Sequence, residues 1–389
     1  MIHPLNPLEM ARRVDRTLGQ RSGRRTILVD ARTPVNFTMV APLVRAMSVD
    51  PRVSFFFTAS EEPDHLRDIY REAPRGTHLL SSSAASSMRF DAYLASDYMW
   101  QPLPRGTCRI QMFHGVGGKY GFDAPTTSMR PWNRIFFVNE RRLRNFIKAG
   151  AIDADSPAIR LVGYPKLDAL VNGTWSRRPV LESLGLDPCR PTILYAPTWS
   201  PASSLNAMGA ALVGRLLEAD ANLIVKLHDR SRDARTRYSG GVDWVETLQP
   251  LLRRGRGVIA PGSDISPYLV AADLMITDHS SAGFEYLLRD RPLVRIHRPE
   301  LIRDANIHAD YVDLLASASD SVDSVEETIA AVERGLASPE TLSETRRAVA
   351  ADLFYRPGGA TARAIRSLYE AIDLEPTPAA VIEGAACRS

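Results

Sequence analysis

The sequence predicts two consecutive open α/β domains, and three observations carry that expectation. Short apolar runs of strand length alternate with helical pattern between Thr26 and Ala149. A second series of the same kind begins at Thr192 and continues through Ile296. Between them lies Asn172–Pro179 (NGTWSRRP), polar and broken by glycine and proline. Apolar runs joined by helical segments belong to parallel sheets covered on both faces. At 389 residues the chain also exceeds what a single core holds.

In order, Thr26–Asp30 (TILVD) is a buried strand and Asn36–Met47 the helix after it. Val53–Thr58 (VSFFFT) is a second strand, followed by a helix over Pro63–Glu72. Phe90–Ser96, Arg109–Phe113 and Ile135–Asn139 are further strands, the last leading into the helix Glu140–Ala149. The second series reads Thr192–Ala196, Leu223–Leu227, Gly257–Ala260, Leu274–Thr277 and Leu293–Ile296. A helix over Ala360–Ile372, after the break at Pro357–Gly359, closes the fold. The expected units are residues 1–172 and 178–372, with 373–389 a frayed tail rich in Pro, Ala and Gly. Ligands of such domains bind at the carboxyl ends of the strands.

Composition excludes several classes. An apolar content of 44% and a charged content of 24% belong to an ordinary globular chain. A formal charge of +3 gives no footprint for nucleic acid. Cys108, Cys189 and Cys387 lack metal spacing and argue for a reducing compartment. With no signal-peptide core and no apolar run of bilayer length, a cytoplasmic placement is expected. Basicity is local: Arg12, Arg13, Arg16, Arg21, Arg24 and Arg25 crowd the N-terminus, with Leu8, Val14 and Leu18 among them. Such a segment suits a peripheral contact with an anionic membrane, or a docked helix with a solvated face.

The chemistry gathers at strand ends. The stretch Ala272–Pro292 runs from an apolar strand through Asp278, His279, Ser280 and Ser281 into a helix. Free N–H groups and hydroxyls at a helix start make an anion site, although for the serines alone an ordinary N-cap is the plainer account. Phe113–Asp123 (FHGVGGKYGFD) places His114 directly after a strand, before glycines and Lys119. That pattern lets backbone approach a ligand while a base and a cation flank it; a glycine-rich turn with a structural histidine explains the stretch equally well. It fits neither the dinucleotide fingerprint nor a Walker A loop. Gly163–Asp168 (GYPKLD) punctuates a turn from which Lys166 points. Leu194–Ser200 (LYAPTWS) ends a strand in Pro-Thr-Trp, and a core tryptophan is its plainer reading. In Val225–Arg230 (VKLHDR), Lys226 and His228 share one face of the expected strand and look like a phosphate clamp. Only four of the 48 basic residues are lysine, and three of those lie in these stretches. A compact ammonium in a pocket is not replaceable by a guanidinium. The DxD at Asp153–Asp155 sits in a loop and implies no metal.

Taken together, FHGVGGK, GYPKLD, ILYAPTW, VKLHD and ADLMITDHSSAGFEYLLRDRPLV resemble the motifs of the CDP-glycerol glycerophosphotransferase family of teichoic-acid polymerases and primases. The resemblance covers about residues 108–300, with Arg356–Thr361 (RPGGAT) similar to the family's closing element. It implies a GT-B fold, two Rossmann-like domains facing across a cleft, and a CDP-glycerol or related nucleotide-diphosphate donor. It also implies a hydroxyl acceptor on a cell-envelope polymer or a lipid-linked molecule, and no cofactor or metal. By the same resemblance His114 is the catalytic base and His228 assists at the diphosphate. Gly115, Lys119, Lys166, Thr198, Lys226, Asp278, Ser280, Ser281 and Glu285 are the substrate-binding residues. The sequence departs from the family pattern at His279, Glu285 and Asp229, where the pattern has Tyr, Asp and Pro, and in the Val-Gly-Gly of the HG loop. These departures keep open a sugar-nucleotide glycosyltransferase, a UDP-sugar 2-epimerase and a non-catalytic nucleotide-binding scaffold.

Overall fold

The computed structural model describes residues 23–74, 76–117, 129, 131–253 and 255–377. Two all-parallel sheets organise it. The first has seven strands in the order β3-β2-β1-β4-β5-β6-β7. These are β1 Arg25–Asp30, β2 Val53–Thr58, β3 His78–Leu79, β4 Ala92–Ser96, β5 Cys108–Met112, β6 Arg134–Phe137 and β7 Ile159–Leu161. The second has six, in the order β10-β9-β8-β11-β12-β13. They are β8 Thr192–Tyr195, β9 Asn222–Val225, β10 Gly257–Ile259, β11 Leu274–Thr277, β12 Leu293–Ile296 and β13 Asp320–Val322. In each sheet the order reverses beside the first strand, at β1/β4 and at β8/β11. Such switch points open a crevice at the strands' carboxyl ends.

Side-chain alternation explains why these runs are continuously apolar. In β8, Ile193 and Tyr195 pack into the outer core of the second sheet while Leu194 packs into the core shared with the first. Leu223 and Val225 against Ile224 in β9, and Leu274 and Ile276 against Met275 in β11, divide in the same way. Both faces are covered, so no position in these strands is free to be polar on account of solvent. The strands the sequence pattern does not reveal are edge strands: β3 is exposed at both residues, and β13 carries Asp320 and Ser321. The expected helix Pro63–Glu72 is a 3-10 turn, Pro63–His65, followed by Leu66–Ile69. It stops because Tyr70 turns inward, its hydroxyl donating to the carbonyls of Thr58 at 2.6 Å and Val29 at 3.2 Å.

Two caps fix the loops that matter for the site. Asn139 caps the helix Glu140–Lys148 by accepting from Arg142 N at 2.7 Å, and its amide donates to the carbonyls of Val116 and Leu353. Asp168, buried in the GYPKLD turn, accepts from Ala360 N at 3.1 Å and Thr361 N at 2.6 Å, capping the closing helix Ala360–Ala371. That helix packs on Pro34–Met47, and Tyr369 donates to Asp50 at 3.0 Å. The last helix among the described residues thus lies on the first sheet's layers. Among the described residues, no helix is long and apolar enough to cross a membrane.

Candidate active site

A cleft between the two sheets collects residues from strand ends on both sides. It is lined by His114, Gly115, Lys166, Thr198, Lys226, His228, Ser280, Ser281 and Glu285, all of them expected from the sequence. Lys119 lies outside the described residues. Asp278 does not line the cleft. It is fully buried behind it, accepting from Thr198 N at 2.8 Å, Ser204 N at 3.0 Å and the Ser204 hydroxyl at 2.9 Å. Asp278 therefore holds the β8 loop in place rather than facing a ligand, because it lies buried behind the cleft wall with its oxygens turned to that loop. The two walls approach closely: a Cβ placed on Gly115 would be 3.9 Å from Ser281 Oγ, and one on Gly117 would be 3.0 Å from the Tyr311 ring.

The first sheet supplies an Asp–His pair. Asp97 follows β4 and His114 follows β5, and the register Ser96↔Met112 brings the two loops side by side. Asp97 adopts φ of 90°, a strained value for a non-glycine residue, which turns its carboxylate under the imidazole. Asp97 Oδ2 pairs with His114 Nδ1, and Oδ1 accepts from His114 N at 3.3 Å. Burial pushes the Asp97 carboxyl up, but the His114 imidazole and the Arg32 guanidinium together hold it below its ordinary value. With Nδ1 bound to a carboxylate, the neutral ring keeps Nε2 as an acceptor toward the cleft. The loop is further held by Tyr164, which donates to the His114 carbonyl at 2.9 Å, and by Arg142. Arg142 stacks 3.8 Å above the Phe113 ring and donates to the Gly115 carbonyl at 3.0 Å.

The second sheet supplies the opposite tautomer. Strand β9 ends at Val225, so Lys226 and His228 stand in the loop beyond it and not on a strand face. His228 Nδ1 accepts from Arg230 N at 3.1 Å, so the neutral ring carries its proton on Nε2, a donor. Lys226 is buried, its Nζ donating to the Leu227 carbonyl at 3.1 Å. Burial lowers its pKa to about 8, against the opposing pull of Asp229. Ser280 caps the helix Ser281–Leu287 by accepting from Ala282 N at 3.3 Å, and Ser281 Oγ accepts from Tyr311 at 3.4 Å.

Lys166 and Glu285 meet each other. The Lys166 ammonium donates to Glu285 Oε1 at 2.9 Å and Oε2 at 2.7 Å, with both side chains buried. Tyr164 adds a bond to Oε1 at 3.3 Å. This pair ties the GYPKLD turn to the helix Ser281–Leu287 at the floor of the cleft. His279 is fully buried, with its Nε2 3.4 Å from Arg295 Nη1 and its ring 6.2 Å from that of His297. It does not line the cleft. Asp153 and Asp155 are solvated, and among the described residues no three His, Cys, Asp or Glu side chains converge on a metal position. Asp97, Tyr164 and Arg142 are among the cleft residues that the sequence does not single out, as are Val35, Ser263 and Ile265. The available signal for Asp97 is its place directly after a buried strand.

The chain matches the family described as CDP-glycerol:poly(glycerophosphate) glycerophosphotransferase over residues 43–370, beyond the stretch the motifs delimit. The teichoic acid poly(glycerol phosphate) polymerase of Bacillus spizizenii strain W23 is 24% identical over 234 residues, 55% of this chain and 58% of that protein. The chain thus spans little more than half the length of that relative. Among solved structures, the wall teichoic acid polymerase TagF superposes with a TM-score of 0.68 at 16% identity, covering 92% of this chain and 93% of that one. A putative UDP-N-acetylglucosamine 2-epimerase from Listeria monocytogenes gives 0.58 at 15% identity, covering 91% and 98%. At such identities the likeness is one of fold, and it bears out the GT-B arrangement of two parallel-sheet domains. With its two Rossmann-like sheets, its ordered motifs and a family match across most of its length, the chain belongs to the CDP-glycerol:poly(glycerophosphate) glycerophosphotransferase family.

Proposed function

We propose that this protein transfers glycerol phosphate from CDP-glycerol to a hydroxyl of a cell-envelope polymer or lipid-linked acceptor, releasing CMP. The observation that carries the reading is the complementary pair of histidines facing one cleft. His114 presents an acceptor nitrogen and His228 a donor nitrogen, each fixed by its Nδ1 partner. In the proposed step the acceptor oxygen attacks the phosphorus that bears glycerol. Its proton passes to His114 Nε2, the new O–P bond forms, and the bridging P–O bond breaks, CMP leaving with the electron pair. Asp97 keeps the imidazole oriented and stabilises the cation that forms. His228, Lys226, Thr198, Ser280 and Ser281 offer donors to the diphosphate, with Gly115 allowing close approach. Positioning and charge stabilisation do most of the work in such a transfer. Glu285, neutralised by Lys166, acts at the glycerol side of the cleft as a hydrogen-bond acceptor.

Residues 1–172 and 178–372 would work as the two bodies, with the helix Ala360–Ala371 returning to the first through Asp168 and Asp50. The enzyme would act at the inner face of the membrane, reached peripherally through the basic segment before Arg25; residues 1–22 of that segment lie outside the described residues. The test is product identity. Purified protein given CDP-glycerol, other CDP-alcohols and CDP- or UDP-sugars should release CMP from CDP-glycerol. Release of UDP or CDP from a sugar nucleotide instead would make it a glycosyltransferase, and release of nothing a scaffold.

A further inference from the structure

Four neighbouring strands of the first sheet carry charged or titratable residues just beyond their carboxyl ends. In the spatial order β2-β1-β4-β5 these are Glu61, Arg32, Asp97 and His114. They form one chain of contacts. Arg32 Nη1 donates to Glu61 Oε2 at 3.2 Å, and Arg32 Nη2 to Asp97 Oδ2 at 3.3 Å. The same Oδ2 pairs with His114 Nδ1. We infer that Arg32 is a positioning residue that acts on His114 through their shared carboxylate oxygen, and that Glu61 governs how strongly it does so. The inference deepens the proposed function and rests on its reading of His114 as the base.

Arg32 and a protonated His114 compete for Asp97, which is buried and takes a third contact from the Asn36 amide at 3.4 Å. The imidazolium that forms during transfer is favoured by the carboxylate and opposed by the guanidinium. Arg32 thus offsets part of the charge that would otherwise hold the ring protonated, while the carboxylate still orients Nδ1. A base must be neutral before it can accept a proton, so this offset keeps His114 available near neutral pH. Glu61 acts in the opposite sense. It shares the guanidinium with Asp97 and adds a negative charge of its own. Arg32 reaches the two acids with separate nitrogens, a bridge that a planar fork makes and a point charge does not. The cleft continues past His114 into a second lobe, which Arg32 lines and Lys226, Ser280 and Ser281 do not. Arg32 is therefore placed to act on the base without touching the groups offered to the diphosphate. Other charges also face the base. Behind its loop stand Arg142, Tyr164 and the Lys166–Glu285 pair, and across the cleft Lys226, His228 and Asp229. The second lobe adds Arg230, Arg237 and Asp304, and Asp30 faces Glu61. All of them stay when Arg32 or Glu61 is replaced, so they cancel in the comparison.

The pH dependence of CMP release, taken as kcat/KM on the full chain, decides it, since its acid limb reports the free enzyme's base. Arg32→Gln should move that limb up by about 0.5–1 pH unit, less than a buried neighbouring charge would, because Arg32 is 32% exposed. Glu61→Gln should move it down by a smaller step. Arg32→Lys, which keeps the charge, should stay closer to the unaltered protein than Arg32→Gln does. The His114 ring, followed by NMR on isotope-labelled histidine and identified by its absence in His114→Ala, should titrate in step with the limb. Thermal midpoints check folding. Should Arg32→Gln not fold, the direction taken by Glu61→Gln decides alone, at a side chain 42% exposed. An unmoved limb and ring in Arg32→Gln, or movement of both variants in one direction, would overturn the inference. Turnover of His114→Ala keeps the readings apart. Undiminished, it sinks the base assignment whatever the titrations do; abolished while the titrations stay put, it leaves the base standing and removes only the role of Arg32.

Discussion

Replacing Asp97 with Asn is the sharpest test of the proposed chemistry. The side chain keeps its size, but the carboxylate that pairs with His114 Nδ1 becomes an amide. An amide nitrogen turned toward Nδ1 makes it an acceptor and moves the neutral ring's proton to Nε2, where a base must be empty. The carboxylate is fully charged in the folded protein, because His114 and Arg32 outweigh the effect of its burial. Its loss therefore removes the charge that stabilises the imidazolium as well as the tautomer. A positioned general base contributes about 10²–10⁴ in rate, or roughly 3–5 kcal/mol of barrier. Asp97→Asn should forfeit most of this, and His114→Ala all of it. The double variant should be no slower than His114→Ala, since the two groups act as a unit. The assay is CMP release at saturating CDP-glycerol, with donor affinity from calorimetry as the check on folding. An Asp97→Asn protein that keeps half its turnover would refute the argument. So would a His114→Ala protein that loses donor affinity but turns over normally.

Other consequences concern charge and packing. With a pKa of about 8, the Lys226 ammonium is present below that pH and lost above it. Donor affinity should fall about tenfold from pH 7 to pH 9 by proton linkage; Lys226→Arg should flatten that limb, and an unchanged slope would remove Lys226 from the donor site. Breaking the buried Lys166–Glu285 pair by Lys166→Met alone should cost about 3–5 kcal/mol in denaturant unfolding, and adding Glu285→Gln should recover part of it. Equal losses in single and double variants would mean that the pair is not coupled. Asp168→Ala should cost about 1–3 kcal/mol by leaving two buried N–H groups of the closing helix uncapped. A thermal midpoint unmoved by that change would show the cap to be dispensable.

The sequence by itself determined the sheets and most of the cleft. Strands covered on both faces must be apolar throughout, so β1, β2, β8, β11 and β12 stand out as runs. Loops at their carboxyl ends carry the residues that apolar neighbours cannot explain, which is how His114, Lys226 and His228 become visible. Edge strands such as β3 and β13 escape because half their surroundings are solvent or loop. What only the tertiary structure decided is which of these groups meet. Asp97 reaches His114 because β4 and β5 pair in parallel at Ser96↔Met112, a register that no local pattern encodes. Lys166 finds Glu285 across 119 positions, from the turn after β7 of the first sheet to the helix after β11 of the second. Asp278, legible as part of a site motif, is instead buried with its oxygens turned to the β8 loop. In a parallel sheet every neighbour comes from a crossover connection, so residue types can be read along the chain, whereas partners are set by strand order and register.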